Sequence, residues 1–396
     1  MEPLQGVRVV DLTRVISGPF STRLLHALGA EVVKVENPHG GDDARSFAPF
    51  WPDGRGVFFS LLNAGKRSIA LDLKQEAARG ILLRLVREAD VLVDNFAPGT
   101  LERLGLPRDL LAAENPRLVQ VGISGFGSGT ALSGRPAYDA TIQALSGLMQ
   151  ATGFPDSEPL LLGEAVVDQI TALYAVIAIQ SALMERERTG EGRHIDLSMF
   201  DALLATMTEY MSSFAGGRTP SRSGNRHPIS APYNCYRCQN GYVVIAAAND
   251  RLFERLAEAV GRRDWLADPR YASDSLRREN VEALDRDLGQ WTESLPAEEV
   301  ERRIARASVP CALVQDVGQA TRMLSELGRP NRVPLDGPTA LALPVLPWVA
   351  TGDAAPLGER APALGQDTRD ILDRQGLDDP AIAALARSGA VAGPDL

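Results

Sequence analysis

Short apolar stretches alternate with amphipathic stretches through the first half of the chain. Stretches rich in Val, Ile and Leu, as buried strands are, occur at residues 6–12, 31–36, 67–73, 90–96 and 118–124. Residues 19–28 and 75–88 instead repeat apolar side chains at the spacing of an amphipathic helix. Such alternation is typical of parallel sheets, whose strands are joined by crossover helices. We therefore expect a large α/β domain with a doubly wound, Rossmann-like parallel sheet.

A long apolar stretch at residues 169–179 directly follows Asp168. Its residue types predict a helix that is buried on every face, ends near Thr189 and Gly190, and carries Asp168 in its first turn. One interpretation is that Asp168 is a helix N-cap, a position that favours Asp. The other is that the carboxylate is a nucleophile, which the helix dipole keeps ionised where water is excluded.

Composition changes after a further predicted strand at 194–198 and a predicted helix at 199–214. A polar linker with Gly and Pro follows at 216–228, then a hairpin at 233–247 that turns at 239–241. Charged helices are predicted at 251–260, 280–294 and 297–307, and closing helices at 368–374 and 380–388. We expect a large domain in residues 1–215, a linker with a smaller α+β domain in 216–330, and a linker returning to the large domain in 331–396.

The overall charge and hydropathy exclude several classes of partner. The chain has 396 residues, of which 44% are hydrophobic, and a formal net charge of −10. Such a charge argues against nucleic acid as a partner, although a local basic pocket for a phosphorylated ligand is compatible with it. No unbroken apolar run reaches the roughly 18 residues of a membrane helix, and residues 1–6 lack the pattern of a signal peptide. We therefore expect a cytoplasmic protein that does not bind membranes.

Neither a metal nor a dinucleotide cofactor is indicated. The three cysteines are too few for a four-cysteine zinc site, and Cys235 and Cys238 should point to opposite faces of a strand. The turn at residues 13–19, after the first strand, lacks the glycine pattern that lets backbone approach a pyrophosphate. The predicted strand ends instead carry Lys74 and small-residue loops at 95–99 and 124–129. These loops suit a ligand rim, although for each of them taken singly ordinary turn chemistry is the favoured explanation.

Several separated segments match one family and span nearly the whole chain. They are residues 4–12, 29–36, Gly41-Asp42, 63–74, 94–105, Val309-Pro310-Cys311 and 363–368. Together they resemble the class III CoA-transferases, the family of formyl-CoA transferase, carnitine CoA-transferase and α-methylacyl-CoA racemase. The chain departs from the family at Gln366-Asp367-Thr368, where Glu-His-Thr is commoner.

The resemblance implies an interlocked homodimer whose substrates are acyl-CoA and a small carboxylic acid, with no permanently bound cofactor. It places the catalytic aspartate at Asp168. It assigns CoA contacts to Val15, Ile16, Ser17, Asn37, Leu71, Asp72, Leu73, Lys74, Asn95, Phe96, Arg103, Arg135, Ala137 and Tyr138. Formyl-CoA transferase has glutamine at the position of Ile16 and a basic residue at that of Asn37, so these two assignments carry less weight.

A carboxylate nucleophile can move CoA between acids through mixed anhydrides and an enzyme–CoA thioester. The oxyanions would then need backbone donors, for which the resemblance favours the loop at 223–233. Arg226 and His227 in this region are candidates for the second carboxylate of a dicarboxylic acid. A racemase is the first alternative, but that branch has histidine where this chain has Tyr138, and a tyrosine of pKa about 10 is a poor base. A non-catalytic CoA-binding protein is the second alternative.

Overall fold

The computed structural model describes residues 2–334, 337, 342–350 and 360–396. The chain divides into two compact units, one of residues 1–146, 162–216 and 329–396, the other of residues 147–161 and 217–328. The domain boundaries expected after residues 215 and 330 stay predictions beside these units. Part of the expected return linker, at 335–336, 338–341 and 351–359, lies outside the described residues.

The described residues form twelve strands and eighteen α-helices. The strands are β1 (Arg8–Asp11), β2 (Glu31–Glu36), β3 (Arg67–Leu71), β4 (Val91–Asp94), β5 (Val119–Ser124), β6 (His194–Ser198), β7 (Tyr233–Cys238), β8 (Gly241–Ala246), β9 (Cys311–Leu313), β10 (Arg332–Pro334), β11 (Ala342–Pro344) and β12 (Val391–Ala392). The helices are α1 (Ser17–Ala27), α2 (Val57–Asn63), α3 (Glu76–Glu88), α4 (Thr100–Arg103), α5 (Arg108–Glu114), α6 (Asp139–Leu145), α7 (Leu148–Ala151), α8 (Val166–Thr189), α9 (Met199–Thr206), α10 (Thr208–Ala215), α11 (Asp250–Ala259), α12 (Asp264–Ala267), α13 (Asp274–Glu279), α14 (Val281–Glu293), α15 (Ala297–Arg306), α16 (Val317–Glu326), α17 (Thr368–Arg374) and α18 (Asp379–Arg387). Asp43–Ser46 and Pro269–Tyr271 form 3₁₀ helices.

A seven-stranded sheet forms the centre of the first unit, in the order β12-β3-β2-β1-β4-β5-β6. Each adjacent pair from β3 to β6 is parallel, whereas β12 pairs antiparallel with β3. The predicted parallel sheet is therefore confirmed. Strand order reverses at β1, since β2 and β3 lie on one side and β4, β5 and β6 on the other. Ligands of such sheets bind beyond the carboxyl ends of the strands at this reversal.

Apolar side chains of the strands and of α3, α17 and α18 form one core of this sheet. Leu82 of α3, Leu92 of β4, Leu372 of α17 and Ile382 of α18 are all buried in it. Because these strands alternate with helices that cover them, they contain almost continuous apolar runs. The core fixes the strands, and so fixes where the loops at their carboxyl ends begin.

The long helix α8 packs against α1, α9 and β5. Our expectation that it is buried on every face is wrong for this chain, because Leu173, Ile177 and Met184 are 50%, 57% and 74% exposed. These residues lie four and seven positions apart and therefore form a stripe along one side of the helix. By length and composition α8 would pass as a membrane span, a property it shares with core helices of globular proteins.

The second unit is built on the antiparallel sheet β7-β8-β9. The predicted hairpin is confirmed, with Cys238 paired to Gly241 at its turn. Cys238 is buried with Tyr236, two residues before it, while Cys235 is only half-buried, as strand alternation predicts. The single helix predicted at 199–214 is wrong, because Met207 leaves helical geometry with ψ 46° and separates α9 from α10.

Candidate active site

Asp168 lies in the first turn of α8 but does not cap it. The N-cap is Ala165, which has no capping side chain, so the N-cap interpretation of Asp168 is wrong. The cap is supplied from a distance: the Val167 N–H donates to Oδ1 of Asp139 at 2.7 Å. The side-chain amide of Gln143 donates to the other oxygen of Asp139 at 2.6 Å. The carboxylate of Asp139, at the start of α6, is thereby fixed beside the turn that carries Asp168.

Burial raises the pKa of Asp168 to about 6, and the negative charge of Asp139 contributes to this rise. The hydroxyl and the backbone N–H of Ser17 interact with the carboxylate and lower its pKa. Desolvation and the charge of Asp139 outweigh the effect of Ser17, so the pKa of Asp168 is raised overall. A carboxyl group of pKa about 6 is still mostly ionised at neutral pH, and poor solvation suits a nucleophile.

Replacing Asp139 by Asn should lower the pKa of Asp168, because the substitution removes a like charge and keeps a capping oxygen. If Asp168 must be ionised for activity, the acid limb of the pH dependence of kcat/KM should move to lower pH. The profile of Asp139→Asn against that of the parent checks this. Asp156→Asn, which changes an exposed carboxylate, serves as the control. An acid limb that stays in place or moves upward would contradict the assignment.

The residues assigned to CoA follow the carboxyl ends of the parallel strands. β1 is followed by Val15, Ile16 and Ser17, and β2 is followed by Asn37. β3 ends at Leu71 and is followed by Asp72, Leu73 and Lys74. β4 is followed by Asn95, Phe96 and Arg103, and β5 is followed by Arg135, Ala137 and Tyr138. They therefore share one edge of the sheet, where ligands of open α/β sheets bind. Whether they bind CoA stays a prediction.

Individual side chains at this edge differ in what they offer a ligand. Leu71 is buried, so it offers only backbone groups. Asp72 accepts from the Lys74 N–H at 3.2 Å and from Gln75 at 3.1 Å, and thereby forms the turn before α3. The side chains of Lys74 and Arg103 are exposed cations, and Arg103 donates to Thr100 at 2.7 Å. Two exposed cations at one sheet edge suit a phosphorylated ligand.

The loop after β4, one of the small-residue loops that suit a ligand rim, also borders a cleft. Its lining includes Phe96, Gly99, Asp94, Arg108 and Asp196. Burial raises the pKa of Asp94 to about 6, although the Phe96 N–H and Arg108 oppose this rise. Arg108 therefore adds a third basic group to the edge that carries the assigned CoA residues.

Tyr138 is the N-cap of α6 and is 73% exposed. Among the described residues, its hydroxyl makes no hydrogen bond to Asp168. The neighbouring Ala137 packs against Gly125, where an added Cβ would lie 2.3 Å from that of Ala137. Gly125 therefore has to be glycine for this close approach, which ties the loop before α6 to the end of β5.

In the second unit, Arg226 and His227 are already engaged. Arg226 forms an ion pair with Asp285 at 2.9 Å, and Tyr236 donates to the same carboxylate at 2.6 Å. The His227 ring stacks on Tyr233, with ring centroids 4.5 Å apart. A carboxylate ligand would have to compete with Asp285 for Arg226, which weakens the hypothesis that Arg226 binds a substrate acid.

Buried charges lie directly beneath the turn that carries Ser17. The Lys66 ammonium donates to Asp11 at 3.0 Å, Thr22 at 2.7 Å and Asn63 at 2.8 Å. The side chains of Asp11, Lys34 and Lys66 are fully buried. Sequence reasoning missed these residues, although a lysine between Val33 and Val35 in a buried strand is itself an informative signal. Asp139 carries no comparable signal, because its capping partner is 28 residues away.

Comparison with known proteins places this chain in a family. The profile of CoA-transferase family III matches residues 4–368. Acetyl-CoA:oxalate CoA-transferase of Acetobacter aceti is 42% identical over 323 residues, which cover 81% of this chain and 83% of that protein. Succinyl-CoA:mesaconate CoA-transferase of Haloarcula hispanica is 38% identical over 395 residues, covering 95% and 97%.

A solved structure agrees with these sequence matches. The crystal structure of a CAIB/BAIF family protein from Brucella suis superposes with a TM-score of 0.84 at 36% identity, covering 94% of this chain and 99% of that one. The resemblance found in the sequence is therefore confirmed. The chain belongs to CoA-transferase family III and is a CoA-transferase.

Proposed function

We propose that this enzyme moves CoA from an acyl-CoA to a free carboxylic acid through covalent intermediates on Asp168. The observation that carries the proposal is the position of this carboxylate: it lies in the first turn of α8, poorly solvated, with two donors from Ser17 beside it. A desolvated carboxylate that is still mostly ionised at neutral pH is a competent nucleophile toward a thioester.

The reaction balances with no external acid or base. Asp168 attacks the thioester carbonyl, the C–S bond breaks, and CoA leaves as thiolate from an aspartyl acyl anhydride. The thiolate attacks the Asp168 carbonyl and releases the donor acid, leaving an aspartyl–CoA thioester. The acceptor carboxylate attacks this thioester and expels the thiolate again. The thiolate then attacks the acceptor carbonyl of the second anhydride, which frees Asp168 and the new acyl-CoA.

These anhydrides would hydrolyse in open water, so the site has to be closed during the reaction. We propose that a second subunit helps to close it, in the interlocked homodimer implied by the resemblance. The exposed apolar stripe of Leu173, Ile177 and Met184 on α8 supports this, since an apolar stripe on the helix that carries Asp168 suits a subunit contact. A cytoplasmic location stays part of the proposal.

We propose a dicarboxylic acid as the acceptor. The Acetobacter and Haloarcula relatives are named for oxalate and mesaconate, which are both dicarboxylates. A panel of free acids with acetyl-CoA, succinyl-CoA or formyl-CoA as donor tests this, with new thioesters followed by chromatography. We expect faster transfer to oxalate, succinate, mesaconate or glutarate than to acetate or propionate. Transfer confined to monocarboxylates would overturn the dicarboxylate assignment.

Deuterium exchange at the α-carbon distinguishes the racemase alternative from a CoA-transferase. A 2-methylacyl-CoA in deuterated water, with no acceptor acid, should gain no deuterium at the α-carbon. Rapid exchange without an acceptor would favour proton abstraction over transfer.

Lys74 and Arg103 should bind the phosphorylated part of CoA. Each charge-assisted contact is worth about 1.5–3 kcal/mol, so Lys74→Ala and Arg103→Ala should each raise the KM for the CoA ester about tenfold or more. The KM for the free acid should change little. Arg84→Ala, which removes a cation that donates to Gln375, is the matched control. Equal affinity for CoA in the parent and both variants would refute the assignment.

A further inference from the structure

Buried charged side chains form hydrogen bonds with the backbone of the turn between β1 and α1. The Thr13 N–H donates to Oδ1 of Asp11 at 2.9 Å. The Thr13 carbonyl accepts from the Lys34 ammonium at 2.7 Å. Both charged side chains are fully buried, so they cannot exchange these bonds for bonds to water. The first residue of the turn is therefore fixed through both of its backbone polar groups.

The backbone groups of the next two residues are also bonded to side chains. The side-chain amide of Asn95 accepts from the Arg14 N–H at 2.9 Å and donates to the Arg14 carbonyl at 2.7 Å. The Val15 N–H donates to Oδ1 of Asp42 at 3.0 Å. Every backbone polar group from the N–H of Thr13 to the N–H of Val15 is thus bonded to a side chain, so this turn is formed before any ligand arrives.

Val15 adopts φ 68°, in the left-handed region. A β-branched residue is strained in this conformation, which persists only where the surroundings fix it. Val15 is only half-buried, so core packing does not impose the conformation. Asp42 and Asn95 hold the peptide groups on the N-terminal side of Val15. Ser17, two residues later, begins α1 and is buried.

We infer that Asp42 is a positioning residue that keeps Val15 left-handed and thereby directs the hydroxyl and N–H of Ser17 to Asp168. The Asp42 side chain is fully buried, and its Oδ2 forms an ion pair with Lys34 at 2.9 Å. Lys34 also holds the Thr13 carbonyl, so this one ion pair ties the first and third residues of the turn together. The inference rests on the proposed role of Asp168 and adds a residue that acts on it through Ser17.

The test follows the carboxyl group of Asp168 directly. Carbon-13 NMR of aspartate-labelled protein, with Asp168→Asn to assign the signal, gives the pKa of Asp168 in each variant. Because Ser17 lowers this pKa, its displacement in Asp42→Ala should raise it by about half a unit to one unit. Turnover should fall about tenfold with a smaller change in KM. Asp43→Ala, which changes the exposed neighbouring carboxylate, should leave both unchanged.

A rescue experiment distinguishes a positioning role of Asp42 from a purely structural role. Val15→Gly added to Asp42→Ala should restore part of the turnover and return the pKa toward that of the parent, because glycine adopts positive φ without strain. Where Asp42→Ala fails to fold, Asp42→Asn keeps an acceptor for Val15 and loses the ion pair, so a smaller shift in the same direction is expected. An unchanged pKa of Asp168 in the Asp42 variants, or lost turnover with no rescue by glycine, would overturn the inference.

The NMR readout also separates this inference from the proposed function. If Asp168→Ala keeps full turnover, the nucleophile assignment fails, but a shifted Asp168 pKa in Asp42→Ala would still show that Asp42 positions Ser17. If Asp168→Ala is inactive and the Asp42 variants shift nothing, the nucleophile assignment stands and the positioning role fails.

Discussion

Asp168→Ala is expected to lose CoA transfer by a factor on the order of 10³ or more, because no covalent intermediate can form without the carboxylate. Binding of CoA and the thermal unfolding midpoint should stay close to those of the parent, since Ala165 and Asp139, not Asp168, form the cap of α8. Initial rates of thioester exchange measure CoA transfer. Calorimetry measures both CoA binding and the thermal unfolding midpoint.

Asp168→Asn is the matched control that keeps the shape of the Asp168 side chain. It keeps the size of the side chain and its contacts with Ser17 but removes the nucleophile, so it should be as inactive as the alanine variant. Trapping with hydroxylamine after addition of acyl-CoA should mark the peptide that contains Asp168 in the parent only. Substantial turnover in either variant would rule out the covalent route.

The second large effect concerns stability. Asp11→Ala leaves the buried Lys66 ammonium without its carboxylate partner and removes a negative charge that also acts on the buried Lys34, and breaking a buried pair in this way costs about 3–5 kcal/mol. We expect a loss of that order in the free energy of unfolding, measured with urea. Glu88→Ala, which removes an exposed partner of Arg8, should change little. A small effect of Asp11→Ala would contradict the importance of the buried charges.

The pH dependence of stability gives an independent check on Asp11. Burial alone would raise the pKa of Asp11, but Lys66 and Lys34 hold it well below its usual range. A carboxyl with a depressed folded pKa contributes stability above its unfolded pKa, about 3.9, and loses it as the pH falls further. The parent should therefore lose more stability than Asp11→Ala between about pH 4 and pH 2. Parallel curves for the two proteins would refute this linkage.

Local patterns in the sequence predicted the elements that build the site. β2 (Glu31–Glu36), β6 (His194–Ser198) and α17 (Thr368–Arg374) have the predicted bounds, because apolar spacing and flanking turn residues define them. The strand β12 has only two residues and depends on pairing with β3, so no local pattern indicates it. The two helices α9 and α10 differ from the single predicted helix, because apolar periodicity continues across Met207.

The candidate site was predicted less completely than the fold. Asp168 could be placed in the first turn of a helix, but its solvation and its neighbour Asp139 depend on contacts between distant segments. The exposed stripe of α8 was missed for a different reason. Residue types predict that a side chain is apolar, and they do not distinguish burial within the chain from a face left for another molecule.

The movement of oxygen tests the covalent mechanism most directly. In the proposed route, the acceptor carboxylate attacks the aspartyl thioester, and the bridging oxygen stays with Asp168 when thiolate releases the new acyl-CoA. The enzyme would be incubated in ordinary water with acyl-CoA and an acceptor acid labelled with oxygen-18, then digested for peptide mass spectrometry. The account predicts oxygen-18 in the peptide that contains Asp168, at the aspartate side chain. Normal transfer that leaves this peptide unlabelled would contradict it.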